Sequence, residues 1–276
     1  MKQLFFTAIL LLTTIAANAA TPFVSFPQRC AGAYPLQDFI RITDNMNEVE
    51  RDSVLLEQIK RGNIPDALRK SILITENLTD AAGICHKVQF AVAADVVTIG
   101  DDHNHLRIPM LPLTAQKIAD LCGAVLPTSK ISDIIHKHCL AKLQPHPMTP
   151  DSTMVTLKIF IKHDSIINRQ LADGGYHFGD FVAGHKKDIV ITNRIDTLSQ
   201  RVHIYGWHYP NGKNIQPLYS KHYNLYTDYS HGVRLVANIV LIDDKAYLIT
   251  DILKHPTLFA LLSYETKPMT ACRYSD

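Results

Sequence analysis

The chain has 276 residues, of which 46% are hydrophobic and 20% are charged, a composition that supports a packed core. Its 28 basic and 26 acidic residues leave a formal net charge of +2, so electrostatics gives no reason to expect nucleic-acid binding. The sequence also contains no charge block, low-complexity tract or long-range repeat.

Residues 1–20, MKQLFFTAILLLTTIAANAA, have the pattern of a secretory signal peptide. Lys2 precedes an apolar run, and small residues at the end of the segment favour cleavage near Ala19 or Ala20. No later stretch is long and apolar enough to predict an integral membrane segment. We therefore expect a periplasmic or secreted protein of the bacterial cell envelope.

Helical patterns dominate the first two-thirds of the chain. Residues 46–62 combine an acidic first turn with apolar residues at helical spacing, and Gly62 supplies a stop. A second short helix is predicted to follow, with Pro65 near its start. Three further helices are predicted at residues 114–124, 128–143 and 153–173.

Strand patterns are concentrated in the last third, although the Val-rich residues 87–99 also predict a buried strand or strand pair. From residue 186 onward, β-branched and aromatic runs alternate with turn residues, in the segments KKDIVIT, RVHIYGWHY, GVRLVANIVLI and KAYLITDIL. This order predicts an α+β fold with a mixed or antiparallel sheet in the C-terminal third. We expect a single domain over residues 21–276, and only the Pro-rich residues 145–152 suggest a weak boundary.

Five cysteines remain after the predicted cleavage. In an oxidising compartment this number suits two disulfides and one free thiol, in a pairing that the sequence does not define. No CxxC pair is present, so neither a redox motif nor a zinc ribbon is predicted. The five are Cys30, Cys85, Cys122, Cys139 and Cys272.

Polar and aromatic residues are concentrated between Gly184 and Arg234, close to the predicted strands. Side chains at strand ends commonly face a pocket. Aromatic, amide and basic groups together would suit a cell-wall glycopeptide or polysaccharide, because rings stack on sugars while charged groups bind carboxylates. The residues predicted to bind such a ligand are Lys186, Lys187, Trp207, Gln216, His222 and Tyr229.

Residues 230–235, Ser-His-Gly-Val-Arg-Leu, resemble the Ser-His-Gly-Cys-x-Arg segment of the L,D-transpeptidases, exported bacterial enzymes that remodel peptidoglycan cross-links. The upstream sequence IYGWH is similar to the strand that carries the basic histidine of that family, which implies that His208 is a base. The nucleophilic cysteine of the family is missing, because Val233 follows Gly232 directly. The interval between His208 and Ser230 is also longer than the family pattern. A thioester mechanism therefore does not carry over.

A broader resemblance extends over most of the mature chain. The segments LPTSK, AGHKKDIVIT, IYGWH and DYSHGVRLV are similar to those of an uncharacterised family of exported bacterial proteins. This resemblance implies export, and it brings no activity with it.

The same polar residues permit acyl transfer or hydrolysis without a cysteine. His208 or His222 would act as the base and Ser230 as a hydroxyl nucleophile, while Asp228 or Asp188 would orient the base. The Arg234 guanidinium or nearby amides would stabilise an oxyanion. The chain contains no GxSxG elbow. The residues predicted at the reacting centre are His208, Ser230, His231, Arg234 and Asp228.

The leading functional hypothesis is a hydrolase or transferase that needs no cofactor and acts on an envelope polymer, most concretely on peptidoglycan peptide bonds. One alternative is a non-catalytic protein that binds a glycan or peptide in the same pocket. The other alternative is a zinc-dependent hydrolase. It depends on Asp101, His103 and His105, which share one face if their segment is extended.

Overall fold

The computed structural model describes residues 22–275, so the predicted signal peptide lies outside the described residues. The fold is α+β, as predicted from the sequence. One continuous hydrophobic core takes side chains from the whole length of this part of the chain, from Val24 to Tyr274. Between residues 22 and 275, no helix has both the length and the apolar character needed to cross a membrane.

Most of the predicted helices are present, with boundaries that differ by a few residues. The helix predicted at 46–62 begins with a capping box, in which Asn47 and Glu50 each accept a hydrogen bond from the other's main-chain N–H. Gly62 follows its end at a φ of +69°, as the predicted stop requires. The α-helices of residues 22–275 are α1 Leu36–Thr43, α2 Glu48–Lys60, α3 Pro112–Leu121, α4 Ser129–His138, α5 Leu157–Asp173, α6 Ile249–Lys254 and α7 Phe259–Leu262.

The strands form two main sheets and two short pairs. Their bounds are β1 Ser71–Thr79, β2 Cys85–Ala93, β3 Thr98–Gly100, β4 His105–Arg107, β5 Ala124–Val125, β6 Ala141–Lys142, β7 Val182–Ala183, β8 Lys187–Ile189, β9 Ile204–His208, β10 Asn214–Tyr219, β11 His231–Gly232, β12 Val236–Ile242 and β13 Lys245–Leu248. The larger sheet has the order β1-β2-β12-β13, all antiparallel, and β5 also pairs with β12. The second sheet has the order β10-β9-β8-β11, in which β8 and β11 are parallel. The short pairs are β3 with β4 and β6 with β7.

Strand β1 was not predicted from the sequence. The helix expected after Pro65 is a single 3-10 turn, Asp66–Arg69, and the chain then extends into β1. The residues of β1 are exposed or half-exposed except Ile74, which is buried and pairs with Phe90 of β2. The larger sheet therefore joins strands from the first third of the chain to strands from the last third.

All five cysteines are free thiols, so the two disulfides expected from the sequence are not formed. Cys30 and Cys85 are exposed, whereas the other three are buried. Burial raises the pKa of Cys122 to about 12 and that of Cys272 to about 11. Because the thiolate is the reactive form, these buried thiols are poor nucleophiles.

Candidate functional site

His208 lies at the end of β9, next to helix α4. Its Nε2 is 2.7 Å from Oδ1 of Asp133, a residue of that helix. The other oxygen of Asp133 accepts hydrogen bonds from the hydroxyl groups of Tyr205 (3.1 Å) and Tyr264 (3.0 Å). A carboxylate acceptor favours the proton on Nε2, which leaves a lone pair on Nδ1 of His208. This is the arrangement of a histidine base held by an acid.

The backbone before His208 adopts an unusual conformation. Trp207 has a φ of +56°, a left-handed value that is rare for a bulky residue. Gly206 has a φ of +100°, and a Cβ placed there would lie 3.0 Å from Cε1 and 3.2 Å from Nδ1 of His208. Gly206 therefore leaves the space that the imidazole fills. Strained backbone of this kind is found where a side chain must be aimed in one direction.

A cleft of about 350 Å³ opens beside the pair formed by His208 and Asp133. His136, Lys137 and Lys142 also line it, as does the turn 210–212. The ring of His136 stacks on that of His208, with a centroid distance of 4.6 Å and an interplanar angle of 22°. Burial and the nearby charges of His208 and Lys142 lower the pKa of His136 to about 4. The cleft thus presents one neutral imidazole, one imidazole held by an acid, and two lysines.

Ser230, His231 and Asp228 form a second group, which is buried at the start of β11. The Ser230 hydroxyl donates to Oδ1 of Asp228 at 2.5 Å, and its main-chain N–H donates to the same oxygen at 2.8 Å. Burial opposes the charge of Asp228, but His231 and the hydrogen bonds from Ser230 outweigh it and lower its pKa to about 2. The hydroxyl of Ser230 is therefore committed to a carboxylate and not to a histidine.

His231 is fully buried, and its Nε2 has no hydrogen-bond partner within residues 22–275. Burial lowers its pKa to about 4. No hydrogen bond in this part of the chain joins His208 to Ser230 or His231, because His208 pairs with Asp133. His208 therefore has no direct contact with the predicted nucleophile, and of these residues it alone lines the cleft. The other predicted base, His222, lies nearer, with its ring centroid 6.3 Å from that of His231.

Arg234 is also buried, and its guanidinium donates hydrogen bonds to the main chain. Its two terminal nitrogens donate to the carbonyl oxygens of Ala93 at 3.0 Å and Val182 at 2.7 Å. Together with His136 and His208, Arg234 lines an internal cavity of about 10 Å³, close to the space that one water molecule needs. Arg234 therefore lies behind the cleft and links the segment between β11 and β12 to β2 and β7.

The six residues predicted to bind ligand do not line the cleft beside His208. Lys186 is buried, with its Nζ bonded to the carbonyl oxygen of Tyr229 and 3.2 Å from Nδ1 of His163. Burial lowers the pKa of Lys186 to about 8. The hydroxyl oxygen of buried Tyr229 accepts the main-chain N–H of Met148 at 2.7 Å. These two side chains hold the interior together.

Of the other four, Lys187 and Trp207 contact each other, whereas His222 and Gln216 make different contacts. Lys187 places its Nζ 4.7 Å from the ring centroid of Trp207, which is itself buried. His222 stacks on Tyr226 with a centroid distance of 4.3 Å. Gln216 is half-exposed on β10 and donates to the carbonyl oxygen of the next residue. These contacts do not form one aromatic groove.

A buried ionic cluster behind the site was not predicted from the sequence. Arg107 donates through Nε to Asp95 at 2.7 Å and through Nη1 to Asp164 at 2.9 Å. The other oxygen of Asp95 is 2.9 Å from Nε2 of His185. Burial opposes the charge of Asp95, but Arg107 and His185 together hold its pKa well below the usual range. The sequence signal for this cluster was Asp95, a charged residue inside the apolar run FAVAADVVTI.

The alternative of a zinc site at Asp101, His103 and His105 gains no support from the contacts of these residues. Oδ1 of Asp101 accepts the main-chain N–H groups of His103 and Asn104, at 2.9 and 2.8 Å, so it closes a local turn. His105 instead stacks on Phe178 with a centroid distance of 3.6 Å. Residues 22–275 contain no group of three His, Cys, Asp or Glu side chains that could hold a metal ion.

Comparisons of the chain with protein-family models, with curated proteins and with solved structures found no match. The resemblance of residues 230–235 to the L,D-transpeptidases therefore stays a prediction from the sequence. The function has to be inferred from the geometry of the cleft and the chemistry of its lining residues.

Proposed function

We propose that the protein is an exported hydrolase of the bacterial cell envelope that uses His208 as a general base. The observation that carries the proposal is the 2.7 Å contact between Nε2 of His208 and Oδ1 of Asp133 at the wall of an open cleft. Asp133 holds the imidazole in one tautomer and one orientation. In the proposed mechanism, Nδ1 accepts a proton from a water molecule.

The attacking group in this proposal is water. The cleft beside His208 is lined by no hydroxyl or thiol side chain from residues 22–275, and Ser230 is bonded to Asp228. His208 takes one proton from the water as its oxygen attacks the carbonyl carbon. The imidazolium then returns that proton to the leaving amine while the carbon–nitrogen bond breaks, so His208 is regenerated. The charge of Asp133 stabilises the imidazolium between these two steps.

The substrate class follows from the chain's predicted location. The predicted signal peptide directs the protein to the envelope, and the segment at Ser230–Arg234 resembles enzymes that act on peptidoglycan. Two lysines line the cleft, and Lys142, which is not bonded to a carboxylate, would attract a peptide that carries carboxylates. Peptide bonds of peptidoglycan are therefore the proposed substrate.

The proposal is tested by incubating the mature protein, residues 21–276, with purified sacculi and separating the released products by chromatography. We expect the wild-type protein to release muropeptides and His208→Ala to lower the rate by about 100-fold or more. His177→Ala is the control, because the side chain of His177 is 87% exposed and lies outside the cleft. Sacculi left unchanged by the wild-type protein would contradict the proposal.

A non-catalytic glycan- or peptide-binding protein is the second candidate. It is favoured by the carboxylate of Asp133, which already bonds His208, Tyr205 and Tyr264 and so builds a rigid wall. A binding protein requires such a wall but no turnover. Co-sedimentation of the protein with sacculi that remain chemically intact would support this candidate over the hydrolase.

A further inference from the structure

Two lysines line the cleft beside His208, and only one of them is bonded to a carboxylate. Lys142, at the end of β6, is exposed, and its side chain forms no ion pair or hydrogen bond within residues 22–275. Lys137 differs, because its Nζ is bonded to Glu76. The one carboxylate on the wall is that of Asp133, and both its oxygens already accept hydrogen bonds. The Lys142 ammonium group is therefore the charged group of the cleft wall that has no bonded partner in this part of the chain.

His136 provides a second, independent observation. The residue is 3% exposed, and its Nε2 is buried without a hydrogen-bond partner among residues 22–275. It lines the cleft and also the small cavity behind it. Buried polar atoms are nearly always hydrogen-bonded, so an unpartnered one at the wall of a cleft indicates a missing ligand or water.

We propose that Lys142 and His136 form a carboxylate-binding subsite in the cleft beside His208. The subsite rests on the proposed function, because it specifies which substrates the His208 centre takes: peptides with a free carboxylate near the bond that is cut. Lys142 supplies a charge-assisted hydrogen bond, and the Nε2–H of His136 supplies a second donor. The ligand would thereby satisfy both groups.

A monoanion fits this site better than a phosphate. One unpaired lysine can bind one negatively charged group, and the neighbouring imidazole of His136 is neutral because burial lowers its pKa to about 4. A dianion would lie close to Asp133 with too little positive charge to offset the repulsion. The chemistry therefore favours a carboxylate, and inorganic phosphate serves as the competing probe.

Calorimetric titration at pH 7 tests the subsite directly. The probes are N-acetyl-dialanine with a free C-terminal carboxylate and the same peptide with a C-terminal amide. We expect the acid to bind at least about tenfold more tightly than the amide. Lys142→Met should weaken binding of the acid by about tenfold and leave binding of the amide unchanged. Lys162→Met, which removes an exposed lysine of α5, is the matched control.

The contribution of His136 is tested by NMR on the wild-type protein, so that no destabilised variant is needed. Its ring nitrogen resonances should shift when the acid is added and stay in place with the amide. Three results would overturn the subsite. They are equal affinity for the acid and the amide, an unchanged affinity of Lys142→Met for the acid, and binding of inorganic phosphate that is tighter than binding of the acid.

The subsite and the proposed hydrolase can each fail independently in these experiments. Binding of the acid without any release of muropeptides from sacculi leaves the subsite standing and removes the hydrolase. Release of muropeptides by Lys142→Met at the wild-type rate removes the subsite and leaves the hydrolase.

Discussion

Arg107 and Asp95 form an enclosed ion pair, with Nε 2.7 Å from Oδ2 and with side chains that are 0% and 1% exposed. Arg107 also reaches Asp164 of helix α5 at 2.9 Å. The pair thus links β4, the segment after β2, and α5. A buried charge that loses its partner is left uncompensated, so these three segments are held in fixed positions behind the cleft.

Arg107→Met is expected to lower the free energy of unfolding by about 3–5 kcal/mol, because two buried carboxylates lose their cation. Urea denaturation at pH 7 measures the change. Arg41→Met is the control: Arg41 pairs with Asp38 on the surface, where such a pair contributes no more than about 1 kcal/mol. Equal effects of the two substitutions would show that the buried cluster has no special energetic role.

Asp133→Asn is expected to lower the rate of muropeptide release by about 100-fold or more. An amide neither fixes the tautomer of His208 nor stabilises its imidazolium. The initial rate on purified sacculi at pH 7 gives the measurement, and Asp173→Asn, at the exposed end of α5, gives the control. A rate within about twofold of the wild type would mean that Asp133 does not orient a base, since that role carries a much larger effect.

Gly206→Ala is expected to impair both folding and activity. The new Cβ would lie 3.0 Å from Cε1 of His208 and would displace the imidazole. Gly83→Ala separates the two effects, because Gly83 also has a positive φ, +84°, but a Cβ there meets nothing within 4 Å. Both variants should lose about 1–2 kcal/mol of stability from backbone strain. Only Gly206→Ala should also lose activity on sacculi, and activity at the wild-type level in that variant would refute the positioning role of Gly206.

His231 is expected to make the fold sensitive to acid. Burial lowers its pKa from the usual value of 6.5 to about 4, so between these values the unfolded chain binds more protons than the native one. Stability is therefore unaffected above pH 6.5 and falls as the pH drops towards 4, by about 3 kcal/mol in total for this group.

Urea denaturation at a series of pH values from 7 to 4 checks this linkage. His231→Asn should be less stable at pH 7 and should show a shallower loss of stability on acidification than the wild type. His177→Asn alters an exposed ring and should keep the wild-type slope. Identical slopes for all three proteins would exclude His231 as an acid-sensitive group.

The sequence predicted those parts of the fold that depend on local signals. Helix α2 was predicted from its acidic first turn and from Gly62, and both act within a few residues of the helix ends. Strand β1 was missed because Pro65 begins only one 3-10 turn. The stability of β1 comes from pairing with β2, which is a tertiary contact without a local sequence pattern.

Only part of the candidate site was predicted, because its other residues come together through tertiary contacts that leave no local sequence pattern. His208 was identified because it follows Trp207 at the end of a recognisable strand. Asp133 was missed, since it lies 75 residues earlier on a helix and looks like any half-exposed acid. Ser230 and His231 were predicted at the reacting centre because they are neighbours in sequence, but their side chains are buried with Asp228.

The pairing of β2 with β12 has a consequence for how the chain is made. Phe90 of β2 pairs with Val240 of β12, and both are fully buried. During synthesis, β2 is complete long before β12 exists, so an apolar strand edge stays open until nearly the whole chain is available. Folding is therefore a late and non-local event, and a fragment that ends before β12 is expected to aggregate through that edge.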